Sequence, residues 1–163
     1  MKVYIKNKLI SWGGSSEVFN EQKETVYKIK GKIISPTKKK LMYDNNGKLL
    51  YINRNRYWNF FYDKVFIYDA NKQKVATIKK NKWSFNHKYQ IEDCVDSMEI
   101  QGKFFSRNSQ IMKNGQVVGT MTREFTLFND AFSLEADEKD IPFLTALVVG
   151  FDNIKDKRQG DNN

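Results

Sequence analysis

The chain is poor in the residues that cross-links, metal sites and most catalytic centres require. One cysteine, Cys94, and one histidine, His87, occur among its 163 residues. A single cysteine excludes an intramolecular disulfide, and no Cys/His spacing typical of a zinc site is present. A Cys–His catalytic pair needs hydrogen-bond contact and a third group that orients the base, and nothing around these two residues predicts that geometry. We therefore predict no metal, no cofactor and no enzymatic activity.

A hydrophobic stretch long enough to cross a membrane is also lacking. A spanning helix needs about 20 apolar residues, whereas the uncharged run Ile141–Phe151 has 11 residues. Acidic residues precede this run from Asp137, and Lys155 and Lys157 follow it, which suits the two ends of a helix dipole. A helix that is apolar on all faces but too short to span is expected to be enclosed by protein.

The rest of the chain consists mainly of short runs of β-branched and aromatic residues. In Thr25–Lys30, Tyr27 and Ile29 point one way, and Lys28 and Lys30 point the other. The same reasoning predicts strands at Leu49–Ile52, Val65–Tyr68, Val75–Ile78, Met98–Gln101 and Val117–Met121. Turn sequences separate the runs at Asp44–Gly47, Asp69–Lys72 and Lys113–Gln116. Such short connections predict antiparallel hairpins and a mostly β fold.

Positive charge is concentrated in the first two thirds of the chain. Residues 1–100 carry 20 Lys and Arg against 10 Asp and Glu, whereas residues 101–163 carry 8 against 9. This imbalance suggests an anionic partner, which could be a nucleic acid, an anionic membrane surface or a phosphorylated ligand. The alternative is that the lysines serve solubility and protect strand edges from aggregation. The N-terminus has no apolar signal-peptide region, which predicts a cytoplasmic location.

Five segments in a fixed order carry a resemblance to a known family. They are Tyr27–Lys32, Tyr43–Ile52, Val75–Lys80, Ile100–Arg107 and Asp140–Val149, with Asp152 just after the last. Together they resemble the LURP-one-related family of the Tubby C-terminal-like superfamily, in its bacterial form. The resemblance implies a closed antiparallel barrel of about twelve strands around one buried, hydrophobic C-terminal helix. It places the domain at residues 1–154 and leaves residues 155–163 as a polar tail.

The same resemblance implies a binding function. Tubby domains bind phosphoinositide headgroups, and phospholipid scramblases share the fold, but neither set of functional residues finds a matching context in this chain. Fold alone does not dictate function. The expected function is therefore a non-enzymatic module for anionic phospholipid surfaces or phosphorylated headgroups, attached peripherally at the inner membrane face.

Two groups of residues are candidates for the binding site. Each lysine close to an anionic membrane contributes about 1 kcal/mol, so several acting together would give measurable attachment. The lysine set consists of Lys38, Lys39, Lys40, Lys79, Lys80 and Lys82. The alternative is a protein-interaction or nucleic-acid-binding module using Arg54–Trp58, because aromatic side chains beside cations can stack single-stranded bases. Either hypothesis requires the basic residues to converge, whereas a barrel could equally distribute them around its circumference.

Overall fold

The computed structural model describes residues 1–6, 15–31, 35–57, 62–81, 89–92, 94, 96–101, 108–125 and 130–160. These residues form twelve strands and one helix. The strands are β1 (Lys2–Lys6), β2 (Ser15–Asn20), β3 (Thr25–Gly31), β4 (Lys40–Asp44), β5 (Leu49–Asn55), β6 (Tyr62–Asp69), β7 (Lys74–Asn81), β8 (Tyr89–Glu92), β9 (Met98–Gln101), β10 (Asn108–Lys113), β11 (Gln116–Phe125) and β12 (Asp130–Ala136). The helix is α1 (Ile141–Gly160).

The twelve strands close into one antiparallel barrel. Each strand pairs with its neighbours in the sequence, and β1 closes the ring by pairing with both β12 and β2. Val3 shows the closure, because it lies opposite Leu134 on one side and Asn20 on the other. Closure pairs every strand edge and thereby removes the sites at which open sheets aggregate. The predicted closed barrel of about twelve strands is confirmed.

Helix α1 fills the barrel, as its apolar sequence predicted. Ile141, Leu144, Leu147 and Phe151 are fully buried within it. The strands surround it with inward-facing residues that are themselves fully buried: Val3, Ile5, Val18, Val65, Ile67, Ala76, Ile78 and Leu134. Pro142 lies in the first helical turn, where its missing N–H leaves no hydrogen bond unmade. In the part of the chain that the structure describes, no helix is both long and apolar enough to span a bilayer.

Polar side chains attach α1 to the wall of the barrel at two levels, near Ala146 and near Asn153. The side-chain amide of Asn53 donates a hydrogen bond to the carbonyl of Ala146 at 2.9 Å, and that of Asn55 donates to the carbonyl of Asn153 at 3.3 Å. Asn153 in turn donates to the carbonyl of Lys38 at 3.3 Å. A helix inside a barrel needs such directional contacts, because apolar packing alone leaves its rotation and depth weakly defined.

The predicted strands and helix are all present as such, and most are longer than predicted. The predicted hairpin turns lie where expected, and in the turn at Asp69–Lys72 the left-handed conformation falls on Lys72, with a φ of 64°. Helix α1 continues to Gly160, so residues 155–160 of the predicted tail are helical, and residues 161–163 lie outside the described residues. The domain boundary at residue 154 stays a prediction.

Candidate functional site

Lys39 and Lys40, and likewise Lys79 and Lys80, are divided between the two faces of the barrel wall. Along β7, Ala76 and Ile78 are fully buried against the core, so Lys80 continues the inward series and Lys79 faces outward. The burial of Met42 in β4 likewise places Lys40 on the inner face and Lys39, just before the strand, on the outer face. A run of lysines in a strand therefore cannot form one continuous patch.

The two inward lysines are engaged inside the barrel. The ammonium of Lys40 lies 3.1 Å from Oδ2 of Asp152 in α1, and only 10% of the Lys40 side chain is exposed. Lys80 is also buried, and its ammonium lies 5.2 Å from the ring centroid of Tyr89. The Tyr89 ring packs edge-on against Phe151 of α1 at 4.9 Å. Both lysines thus connect the wall to the helix and lie away from the outer surface.

The outward lysines join Arg54, a residue of the alternative site, on one face. Lys64 of β6 lies directly opposite Lys79 of β7, and Arg54 of β5 lies opposite Phe66, two residues from Lys64. Directly opposed residues have Cβ atoms about 5 Å apart, and diagonal neighbours about 7–8 Å apart. The alternation of fully buried Val65 with its neighbours places Lys64 and Phe66 on the outer surface.

Lys39 extends this cluster on the other side of Arg54. Lys40 lies opposite Asn53, which places Lys39 next to Arg54. The Asn55 N–H donates to the Thr37 carbonyl at 2.8 Å, one residue out of this register, so the segment before β4 bulges and both Lys38 and Lys39 lie opposite Arg54. We call Lys39, Arg54, Lys64 and Lys79 the basic face.

Three neighbouring residues add to the basic face or offset its charge. Glu92 of β8 accepts a hydrogen bond from the Lys79 ammonium at 3.3 Å and offsets part of its charge. Arg56 is exposed, and its backbone N–H donates to the carbonyl of Lys64 at 3.0 Å. Tyr57 follows with 63% of its surface exposed. The face therefore combines several cations, one carboxylate and an exposed aromatic ring.

The remaining predicted residues lie beside the basic face or outside the described residues. Lys38 is exposed and has a positive φ of 44°. Lys82 and Trp58 lie outside the described residues, as does His87. Sequence reasoning missed Lys64, although its position next to the apolar Val65 in a predicted strand could have indicated an outward side chain. Whether the predicted lysines bind a ligand stays a prediction.

The described residues contain no group of three or more His, Cys, Asp and Glu side chains placed to hold a metal ion. Cys94 is half-buried, and its thiol lies 3.9 Å from the carbonyl oxygen of Glu92 as a weak donor. The predicted absence of catalysis through His87 and Cys94 stays a prediction, since the structure describes only one of the two.

Comparison with known proteins gives one match. A family model described as LURP-one-related matches residues 1–152, which contain all twelve strands and α1 as far as Asp152. No curated protein and no solved structure gives a significant match. The match therefore covers the whole barrel wall and the first twelve residues of α1.

Proposed function

The chain belongs to the LURP-one-related family of the Tubby C-terminal-like superfamily, and on that premise we propose that it is a non-enzymatic module that binds anionic phospholipid surfaces. Family membership supports a Tubby-like binding module in general. The basic face supports the choice of an anionic partner, because the register gathers four cations from β5, β6, β7 and the segment before β4.

The expected strength of this attachment follows from the number of cations. At about 1 kcal/mol for each basic residue near an anionic surface, four residues contribute about 4 kcal/mol. That corresponds to a dissociation constant near 1 mM for the electrostatic part alone. The Lys79–Glu92 ion pair lowers the contribution of one of the four. The module would therefore attach reversibly and detach as the salt concentration rises.

The exposed Tyr57 suits the same surface. Tyrosine rings are enriched at membrane–water interfaces, because the ring contacts apolar chains while the hydroxyl stays hydrated. Tyr57 follows Arg56 in the chain, two residues beyond the end of β5, and its side chain is exposed. It would add apolar contact to an otherwise electrostatic attachment.

Vesicle flotation tests the proposal. Purified protein is mixed with neutral phosphatidylcholine vesicles or with vesicles containing phosphatidylserine, at low and physiological salt. We expect flotation with the anionic vesicles only, and weaker flotation at the higher salt. Competition by a soluble inositol phosphate would indicate a headgroup pocket, whereas its failure to compete would indicate attachment to the charged surface. Absence of flotation with anionic vesicles at low salt would exclude the lipid-binding proposal.

A matched pair of charge reversals tests the face. The variant Arg54→Glu/Lys64→Glu changes two outward residues of the basic face, whereas Lys48→Glu/Lys72→Glu changes two exposed residues at hairpin turns. Both variants alter the net charge by the same amount. We expect flotation to be lost in the first and kept in the second. Equal loss in both would show that net charge, and not the basic face, determines the attachment.

A second candidate function is the binding of single-stranded nucleic acid, which rests on Tyr57 and the arginines that precede it in the chain. An aromatic ring that is 63% exposed beside Arg54 and Arg56 is also suited to stack an unpaired base. Fluorescence anisotropy with a labelled single-stranded oligonucleotide would then show tight binding that weakens linearly in log salt. Tyr57→Ala would weaken it by about 1–3 kcal/mol. The protein-interaction alternative stays a prediction.

A further inference from the structure

A cavity of about 300 Å³ opens where α1 begins, away from the basic face. Its walls are mainly apolar side chains, and its polar side chains are mostly acidic. The lining residues used below are Tyr51, Asp69, Cys94, Asp96, Lys113, Asp140 and Phe143, and Val75, Met98, Val118 and Leu144 complete the wall. Concave, mostly apolar sites with a few polar groups are the usual form of small-molecule pockets.

Two aromatic rings form one side of the cavity. Tyr51 of β5 and Phe143 of α1 lie with their ring centroids 6.0 Å apart and their planes inclined at 55°. Burial raises the pKa of Tyr51, and the nearby Asp69 carboxylate raises it further. The phenol therefore stays protonated at neutral pH. Two tilted ring faces are a suitable surface for an organic cation.

One of the carboxylates in the cavity is already neutralised. Asp96 Oδ2 lies 2.7 Å from the ammonium of Lys113, and Asp96 Oδ1 accepts a hydrogen bond from the side-chain amide of Asn114 at 3.0 Å. The hydrogen bond from Lys113 is the main cause of the lowered pKa of Asp96. Asp96 and Lys113 thus form a pair with no net charge.

The other two carboxylates are less satisfied. Asp69 Oδ1 accepts a hydrogen bond from the Gln73 N–H at 2.8 Å, which closes the hairpin turn. Among the described residues, the structure gives the Asp140 carboxylate no hydrogen bond and no ion pair. Asp140 immediately precedes α1, whose N-terminus carries about half a positive charge. The cavity contains three carboxylates, the ammonium of Lys113 and the half positive charge of the helix N-terminus. Its net charge is therefore about −1.5.

The sign of this charge is opposite to that of the whole chain, which carries a formal net charge of +9. Headgroups of anionic lipids would be repelled from the cavity, so it is separate in chemistry as well as in place from the basic face. Apolar walls and tilted rings favour the body of an organic ligand, and the carboxylates favour a positively charged head.

We propose that this cavity binds a small organic cation, in which an ammonium group is carried on a compact apolar body. Liquid water occupies about 30 Å³ per molecule, so a cavity of about 300 Å³ holds a ligand of about ten heavy atoms. The ammonium lies towards Asp69 and Asp140, and the apolar body lies against Tyr51 and Phe143. The proposal stands independently of the lipid-binding function, because no residue of the basic face lines the cavity.

Three probes of similar shape and different charge test the proposal. They are phenethylammonium, the neutral 2-phenylethanol and the anionic phenylacetate, titrated into the full chain by NMR. We expect the cation to bind with a dissociation constant of about 1 mM or tighter. The neutral probe should bind about tenfold more weakly, and the anion should not bind.

Cys94 reports whether the cation occupies this cavity. It is the only cysteine in the chain, so alkylation by iodoacetamide has one site. Phenethylammonium should slow the alkylation rate in proportion to its occupancy, and 2-phenylethanol at the same concentration should slow it less. A cation that binds without slowing the alkylation would bind elsewhere, and the proposal would be overturned.

Asparagine variants remove charge while keeping local structure. Asn replaces Asp equally well at a helix N-cap and in a turn, so Asp140→Asn and Asp69→Asn should fold normally. Each should weaken the cation about three- to tenfold. The first control is Glu138→Gln, because Glu138 is exposed near the start of the helix. The second is Asp44→Asn: Asp44 accepts hydrogen bonds in a hairpin turn through Oδ1, as Asp69 does, but it does not line the cavity. Equal weakening in variants and controls, or no preference for the cation over the neutral probe, would contradict the proposal.

Discussion

The ammonium of Lys40 lies 3.1 Å from Oδ2 of Asp152 and links strand β4 to helix α1 inside the barrel. Both residues are buried, and the second carboxylate oxygen of Asp152 has no hydrogen-bond partner among the residues that the structure describes. A buried ion pair contributes little net stability, but loss of one partner leaves an uncompensated charge in a medium of low polarity. The effect of either residue on stability therefore depends on whether the other is present.

Lys40→Met should lower the free energy of unfolding by about 3–5 kcal/mol, because Asp152 then remains buried without its cation. The double variant Lys40→Met/Asp152→Asn removes both charges and should be more stable than Lys40→Met alone. Urea denaturation of the wild type, both single variants and the double variant measures this in one cycle. A double variant as unstable as the sum of the single variants would show that the two residues act independently.

Gly150 of α1 packs closely against strands β6 and β7. A Cβ atom at this position would lie 2.6 Å from Cδ1 of Ile78 and 3.4 Å from Cγ1 of Val65. Gly150→Ala should therefore destabilise the protein by about 1–3 kcal/mol through overpacking, less the helix propensity that alanine adds. Ile78→Val removes the obstructing methyl group and costs about 0.5–1.5 kcal/mol alone.

The double variant Gly150→Ala/Ile78→Val should be more stable than the sum of the two single changes predicts, by at least about 1 kcal/mol. Thermal or urea denaturation of the four proteins measures the coupling. Additive effects would mean that the contact at Gly150 relaxes in some other way.

Lys64 and Lys79 are like charges in direct opposition on the outer face. Such pairs destabilise a sheet, so Lys64→Thr should raise the free energy of unfolding by up to about 1 kcal/mol at low salt. The gain should shrink in 1 M salt, where the Debye length is about 3 Å. Lys30→Thr is the control, because Lys30 is exposed on β3 and lies opposite Ser15 and Leu41, neither of which is charged. A gain of the same size and salt dependence in the control would exclude the cross-strand repulsion.

The Asp96–Lys113 pair predicts a pH dependence of stability with two limits. The hydrogen bond from Lys113 lowers the pKa of Asp96 in the folded chain, so this contribution is present above about pH 4 and lost as the pH falls through the lowered value. The hydrogen bond to Asp96 raises the pKa of Lys113, so its contribution is present below about pH 10 and lost as the pH rises through the raised value.

The melting temperature of the wild type should therefore exceed that of Asp96→Asn across the neutral range, and the difference should vanish at both extremes of pH. NMR titration should also return the pKa of Asp96 towards its ordinary value in Lys113→Gln. An unchanged Asp96 pKa in that variant would remove Lys113 as the cause.

The hairpin β6–β7 shows where prediction from sequence stopped. The two strands and their turn were predicted from apolar alternation and from the Asp69–Lys72 turn, but the register shifts between Ile67 and Tyr68. A bulge of this kind changes which residues face each other across the pair. The opposition of Lys64 and Lys79, on which the basic face depends, was therefore not predictable from turn and strand positions.

The sequence by itself determined the mostly β class, the hairpins, the family resemblance and the burial of α1. These depend on local alternation, on turn residues and on an apolar run too short for a membrane. Only the tertiary structure decided which lysines are outside the barrel and which carboxylates share the cavity with Tyr51 and Phe143. Both depend on strand register and barrel closure, because these bring together residues that are far apart in the chain, and no local pattern records that pairing.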